Sequence, residues 1–415
     1  MADRSAAVAP TRPELTPGLL AALGFVGMAG AFSTDLYLPA FPSLQADFEA
    51  TPAAVQLTLT AYLIGSAVGQ FLIGTISDAL GRRRTLLIAL GAFTAAGFCA
   101  AAAPSLGWLV ALRALQGLSG SAGAALARAC VADLAEGERA ARGISLLIGM
   151  MGLGPIFGSP LGALLTSWGG WRAALTGLAV IAAIMFAVAL IVIPESLPPD
   201  RRHPARVGRL LGNLGRLGRD GAFVAYALAF AFSYGALMLY IGSSSFVVQR
   251  VFGASPITYS LAFSGGSIAF VAGAWVNGRL VRRMGAARAL RVAHVAALAA
   301  AGALLALALT GTLSLWTWVP LVCVFTAGCA ASMSDASALT LGRAAFAAGG
   351  GSAALGLFQF SLGAAASPFG GLWGDDTAVP TAAGMAGAIL LALIASMLGR
   401  AWERRRAAPE AVTPA

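Results

Sequence analysis

The chain has 415 residues, of which 58% are hydrophobic and 11% charged, with a formal net charge of +10. A water-soluble protein carries charge on about a quarter of its residues, so most of this chain cannot face water and it reads as a membrane protein. All 27 basic residues are arginine, which removes P-loop and Schiff-base lysine chemistry, and two histidines, His203 and His294, leave little for a zinc site or a catalytic triad.

Twelve apolar blocks are long enough to cross a bilayer core of about 30 Å as helices. In chain order they are Pro17–Leu38, Ala53–Ser77, Thr85–Ala103, Leu106–Ala132, Ile144–Leu165, Ala173–Ile193, Ala222–Phe246, Ile257–Val276, Leu290–Thr310, Leu315–Gly342, Ala353–Trp373 and Val379–Leu398. Residues 1–16 form a polar, proline-rich tail with no cleavable leader expected, and 400–415 a second tail. With the amino terminus inside, 23 arginines fall on the cytoplasmic side, against Arg172 and Arg250 outside, so both termini are expected in the cytoplasm. The positive charge is thus a topology signal, and nucleic acid is not needed to explain it. Cys99, Cys130, Cys323 and Cys329 lie inside apolar blocks without CxxC spacing and read as packing residues.

Phe48 and Phe252, Pro52 and Pro256, Gly69 and Gly273, Gly74 and Gly278, and Gly81 and Gly285 repeat at a separation of 204 positions. The chain therefore reads as two six-helix bundles, 17–194 and 221–399, joined by the arginine-rich linker 195–220. Parallel six-helix repeats imply an all-α transporter with its site between the halves near mid-membrane.

A charge in the hydrocarbon region is costly and usually has a partner, a wet cavity or a job. Four remain after the helix ends are set aside: Asp35, Arg113, Arg128 and Asp335. Asp35 lies in FSTDLYLPAFP, where Pro39 and Pro42 loosen the helix, and it suits a carboxyl that loads and unloads protons; a structural cap on a broken helix is the alternative. Arg113 cannot lose its proton and needs a carboxylate, carbonyls or an anionic substrate, with Gln116 one turn along. Asp335 fits a second proton site, a counter-charge for a cationic substrate, or a solvated residue of the cytoplasmic vestibule. Arg128 is expected near the inner surface, paired with Asp133 or reaching out to water.

The turn GTISDALGRRR brackets Asp78 and Arg82 between Gly74 and Gly81, a charged clasp suited to gating. The fifth block, GMMGLGPIFGSPLGALL, carries Gly154, Pro155 and Gly158 and reads as a bent, close-packing element that flexes between states. Tyr37, Phe41, Tyr62, Tyr234, Tyr240 and Phe358 are candidate cavity lining, with Asp35 and Gln116.

These residues resemble a known group. GTISDALGRRR is similar to the loop signature between helices 2 and 3 of the major facilitator superfamily, with Ala79 where the family usually has a basic residue. LVALRALQG resembles its helix-4 signature, and GLGPIFGSP its helix-5 antiporter signature with Ser159 in place of a usual glycine. DLYLPAFP, VQLTLTAYLIGSAVGQ, GPIFGSPLGALL and WGGWRA resemble the Bcr/CflA branch of bacterial drug:proton antiporters, through residues 33–197. The resemblance implies Asp35 as the proton-coupling and substrate-coupling site, Arg113 as its electrostatic partner, and Asp78 with Arg82 in the gate.

The expectation is a proton-driven exporter of small-molecule drugs in a bacterial inner membrane, acting as a monomer and needing no cofactor. Export of an endogenous metabolite or proton symport keeps the same fold. A membrane-bound enzyme or sensor would need a soluble domain or catalytic cluster, and the loops carry neither.

Overall fold

In the computed structural model the described residues are 14–202, 212, 215–344, 348–372, 374 and 376–407. His203, Arg206, Arg209, Trp373 and most of both tails lie outside them. The described residues contain helices and connections and no strand. Nine segments are long and apolar enough to cross a membrane. One of these, Gly137–Val192, holds two passes, because Gly169 and Gly170 break it, Gly170 with φ 64°. With Leu106–Leu134 and Ala348–Ala366, twelve passes result.

The passes are α1 (Pro17–Asp47), α2 (Pro52–Leu80), α3 (Arg82–Ala101), α4 (Leu106–Leu134), α5 (Gly137–Met151, then 154–168), α6 (171–192), α7 (Gly221–Val251), α8 (Pro256–Met284), α9 (Ala286–Leu309), α10 (Leu315–Arg343), α11 (Ala348–Ala366) and α12 (Val379–Ala407). A 29-residue helix such as α2 is about 43 Å long, so its ends reach past a hydrocarbon core of about 30 Å. α1 is not one rod. It pauses at Met28 and tightens to a 3₁₀ turn over Leu38–Ala40, where Pro39 and Pro42 remove backbone donors.

The internal repeat is built into the capping. α2 and α8 are each 29 residues, begin after a hydroxyl cap (Thr51 and Ser255) with proline at the first turn, and end at a glycine with positive φ (Gly81 96°, Gly285 79°). α4 and α10, also 29 residues each, begin after Ser105 and Ser314. The separation is 204 positions for the first pair and 209 for the second, because α9 has 24 residues where α3 has 20 and the connection after it is one residue longer.

Within the first half α2 packs on α4, and α3 on α4 and α6; within the second, α7 packs on α12 and α10, and α9 on α10. The halves meet along α2 with α11 and α5 with α8. Their hydrogen bonds gather at the end away from the arginine-rich turns. Gln56 donates through Nε2 to the Gly242 carbonyl (3.0 Å) and Ser243 Oγ (3.3 Å). Gln249 donates to the Pro39 carbonyl (3.1 Å), Thr60 to Ala364 (3.3 Å) and Ser264 to Ile156 (3.1 Å), and Phe41 meets Phe246 with ring centroids 5.9 Å apart. Among the described residues no hydrogen bond joins the halves at the arginine-bearing end. Gln249 sits in a π-turn over Val247–Val251 that closes α7.

Candidate functional site in the broken first helix

Asp35 lies where α1 loosens, 4% exposed, and its Oδ1 accepts from the Thr34 hydroxyl at 3.0 Å. Among the described residues no cation lies within salt-bridge distance of it. α5 covers the segment with small residues: a Cβ on Gly158 would touch Asp35 Cβ and the Leu36 amide at 3.6 Å, and one on Gly162 would collide with the Leu36 carbonyl. That approach is why α5 carries glycine at 162, and it ties the flexing element directly to the carboxyl-bearing break. Gly154, one turn earlier, packs on Ala31. Pro155 opens the second segment of α5, where its missing N–H costs no helical bond.

Arg113 on α4 is wholly buried and turns toward α1 without touching Asp35. Its Nη1 donates to Ser33 Oγ and Gln116 Oε1, both 2.9 Å, and Nη2 to the Ser33 carbonyl at 2.7 Å. The guanidinium carbon lies 5.0 Å from the Tyr37 ring centroid and 4.8 Å from that of Tyr62. Carbonyl, hydroxyl, amide and two π-faces therefore share the charge, one residue pair along from Asp35. In this conformation the two charged groups are neighbours through Ser33 and Thr34, and no ion pair joins them.

The candidate aromatic residues are packed in this conformation. Tyr37, Phe41 and Tyr240 are enclosed and do not line an open cavity. Tyr37 is held by a 3.0 Å hydrogen bond between its hydroxyl and Thr58, and stacks edge-on with Phe41 at 5.0 Å. Tyr240 sits among Phe263, Trp318 and Phe325, with centroids 6.1 to 6.4 Å away, inside the second half. Rings in a two-sided apolar wall gain more from one another than from an exposed face. Tyr62 and Tyr234 are nearly buried, Tyr234 beside Phe360 at 5.9 Å, and Phe358 packs partly buried against the arginine-bearing end of the second half.

At the arginine-bearing end, Arg82 donates to Asp78 (2.6 Å), Ser77 (2.5 Å) and Asp133 (3.0 Å), and its backbone N–H to Glu195 (2.8 Å). The clasp of Asp78 and Arg82 forms, and it extends further than the turn itself, to the ends of α4 and α6. Asp133 therefore belongs to Arg82 and to Ser196 (3.0 Å), and Arg128, expected either to pair with Asp133 or to reach out to water, is exposed on α4. Gly81 is required by its positive φ and by Glu195 beside it; Gly74, expected to allow close packing, has open space where a Cβ would stand. The second half has its own clasp, which the sequence reading missed: Arg343 to Asp220 (3.0 Å) and Glu403 (3.4 Å), with Glu403 also accepting from Tyr226 (2.9 Å).

Asp335 is buried too, 2% exposed, with Oδ1 accepting from Asn277 Nδ2 at 2.7 Å across α8 and α10. It does not face an open vestibule. His294 is buried and bonds Ser233 through Nε2 at 3.1 Å. The four cysteines are free thiols, and among the described residues no group of three His, Cys, Asp or Glu side chains is placed to hold a metal.

The model of the Major Facilitator Superfamily matches residues 23–371. The chain belongs to that superfamily. Among relatives of this facilitator, an uncharacterized MFS-type transporter, YdgK, of Bacillus subtilis is 32% identical over 87% of this chain and 90% of its own length. A bicyclomycin resistance protein homolog of Haemophilus influenzae is 26% identical over 90% and 94%, and multidrug resistance protein D of Escherichia coli 30% over 64% and 66%. A solved D-xylose-proton symporter shares the fold, with TM-score 0.72 at 16% identity over 92% of this chain and 96% of that one. The facilitator is a multi-pass membrane transporter and not an enzyme.

Proposed function

We propose that the chain exports small-molecule drugs or antibiotics from a bacterial cytoplasm in exchange for protons, by alternating access between its two halves. The observation that carries this is Asp35, a carboxyl buried in a helix break, bonded to a hydroxyl and touched by no cation among the described residues. A buried carboxylate without a counter-charge is costly, and protonation or a bound substrate relieves that cost; proton and substrate therefore compete for one group. The drug-resistance names of the relatives support the substrate class.

Placing the arginine-bearing end in the cytoplasm, as the positive-inside rule supports, makes the structure inward-facing, with the outer end sealed by Gln56, Gln249 and the Phe41–Phe246 pair. Both termini are then cytoplasmic, the membrane is the inner one, and the unit is a monomer that needs no cofactor. Each proton entering at 100 mV supplies about 2.3 kcal/mol, enough for modest accumulation without nucleotide. The α1–α5 contact couples the carboxyl to the rocking of the halves, because Gly158 and Gly162 let α5 follow any change at Asp35 and Leu36.

The test is chloramphenicol-induced proton movement in proteoliposomes. Wild type moves protons against the drug, and Asp35→Asn abolishes the coupling while leaving the protein folded. Coupled exchange that survives in Asp35→Asn removes this reading.

A further inference from the structure

We propose that Asp335, held by Asn277 between α8 and α10, is a second proton-carrying site, in the half of the molecule that lacks Asp35. It rests on the transporter reading above and assigns a separate group.

The repeat supplies an internal control. Gly69 on α2 packs against Leu118 on α4, and Gly273 on α8 against Ala327 on α10, so the two crossings share one register, 204 positions apart on the first helix and 209 on the second. One turn further along, Asn277 donates to Asp335 and to the Ala331 carbonyl at 3.4 Å. By the same register the first half has Ile73, Ala122 and Leu126 there, all buried in its apolar core. At that turn the first half thus closes on apolar side chains alone, and the geometry does not require an acid.

Two atoms of the pair are left over. Asp335 Oδ2 and Asn277 Oδ1 are both buried with no hydrogen-bond partner. A carboxyl that has a neutral amide on one oxygen and nothing on the other has no fixed counter-charge. The charged and titratable groups on neighbouring helices are engaged elsewhere. On α9, His294 bonds Ser233, and Arg288 and Arg291 stand exposed. On α8, Arg279 stacks on Trp275, with its guanidinium 3.5 Å from the ring centroid, and Arg282 and Arg283 are exposed, while Tyr259 bonds Ser244. Tyr226 on α7 and Arg343 at the end of α10 are tied to Glu403, while Tyr234 and Tyr240 sit in aromatic contacts. The two thiols of α10, Cys323 and Cys329, are uncharged packing groups and contribute no cation. With no cation to answer it, the carboxyl holds a proton here and is ionised where water reaches it as α8 and α10 part.

Infrared titration of the protein in liposomes reads the carboxyl directly, without substrate. The protonated-carboxyl band of wild type loses the intensity of one group in Asp335→Asn, and that band moves in Asp335→Glu and in Asn277→Ile. The double variant Asn277→Ile with Asp335→Leu copies the first half, keeps the melting temperature of wild type, and loses at least tenfold of its pH-gradient-driven chloramphenicol export. Superimposable titrations of wild type and Asp335→Asn, or full gradient-driven export by the double variant, overturn the proposal. Because Asp35→Asn is titrated alongside, a silent Asp35 with a responsive Asp335 would instead remove the earlier reading and leave this one standing.

Discussion

Gln56→Ala perturbs the outer seal at one atom. Gln56 is wholly buried, and its Nε2 serves both the Gly242 carbonyl and Ser243 Oγ, while its Oε1 has no partner. Two bonds from one amide do not add in full, and removing the unpaired Oε1 returns some free energy, so the net loss is about 1 kcal/mol. These bonds exist only when the outer ends are together, so the ratio of open to closed outer ends rises about fivefold. Gln249→Ala removes the bond to Pro39 from the other half, and the double variant shifts the ratio by about 2 kcal/mol, roughly thirtyfold, if the two act independently. Spin labels at Ala46 and Ile257, both exposed near the outer ends, report the separation as a distance distribution. The long-distance population grows in the order wild type, single, double. An unchanged distribution in the double variant would refute the assignment of the seal to these amides.

Two further outcomes follow from the clasps at the arginine-bearing end. Gly81→Ala costs about 1–2 kcal/mol, because a Cβ is disfavoured at φ 96° and meets Glu195, whereas Gly74→Ala stays within about 0.5 kcal/mol; equal melting temperatures for the two would contradict the geometry. Asp220 sits just outside α7, and although burial works against its ionised form, Arg343 and the Phe223 and Ala222 amides outweigh it and hold the carboxyl below its usual range. A group depressed in the folded state stabilises above the unfolded value of about 3.9 and loses that contribution as pH falls through its lower folded value. Thermal melts should therefore show Asp220→Asn less stable than wild type at pH 7, with the gap narrowing below about pH 4; a gap that widens in acid would reverse the sign.

The sequence made the twelve passes and the two halves legible because a bilayer imposes length and apolarity on every crossing, and arginine placement reports topology without any tertiary contact. The Asp78–Arg82 clasp was legible for a similar reason: the two lie four residues apart across one short turn. What escaped was set by registers between distant helices. Gln56 and Gln249 read as ordinary polar residues until the halves are seen to meet, and sequence proximity leaves Asp133 open to Arg128, whereas α3 brings Arg82 to it. The enclosed positions of Tyr37, Phe41 and Tyr240 likewise depend on side-chain neighbours from other helices. Asn277 carried a usable signal: it stands 204 positions after Ile73, a polar residue where the first copy is apolar.

The acceptors of the outer seal have a consequence of their own. Gly242 and Pro39, which stand within one residue of equivalence in the two copies, are engaged through main-chain carbonyls, and a carbonyl survives any substitution of its own side chain. A mutational scan would therefore register this closure at the two glutamines, at Ser243 through its hydroxyl and at Gly242 through the close approach of Ser367, but not through loss of the Gly242 and Pro39 acceptors themselves. Drug recognition can drift through wide changes in the lining of the halves while the two carbonyl acceptors of the latch that shuts them are inherited with the backbone.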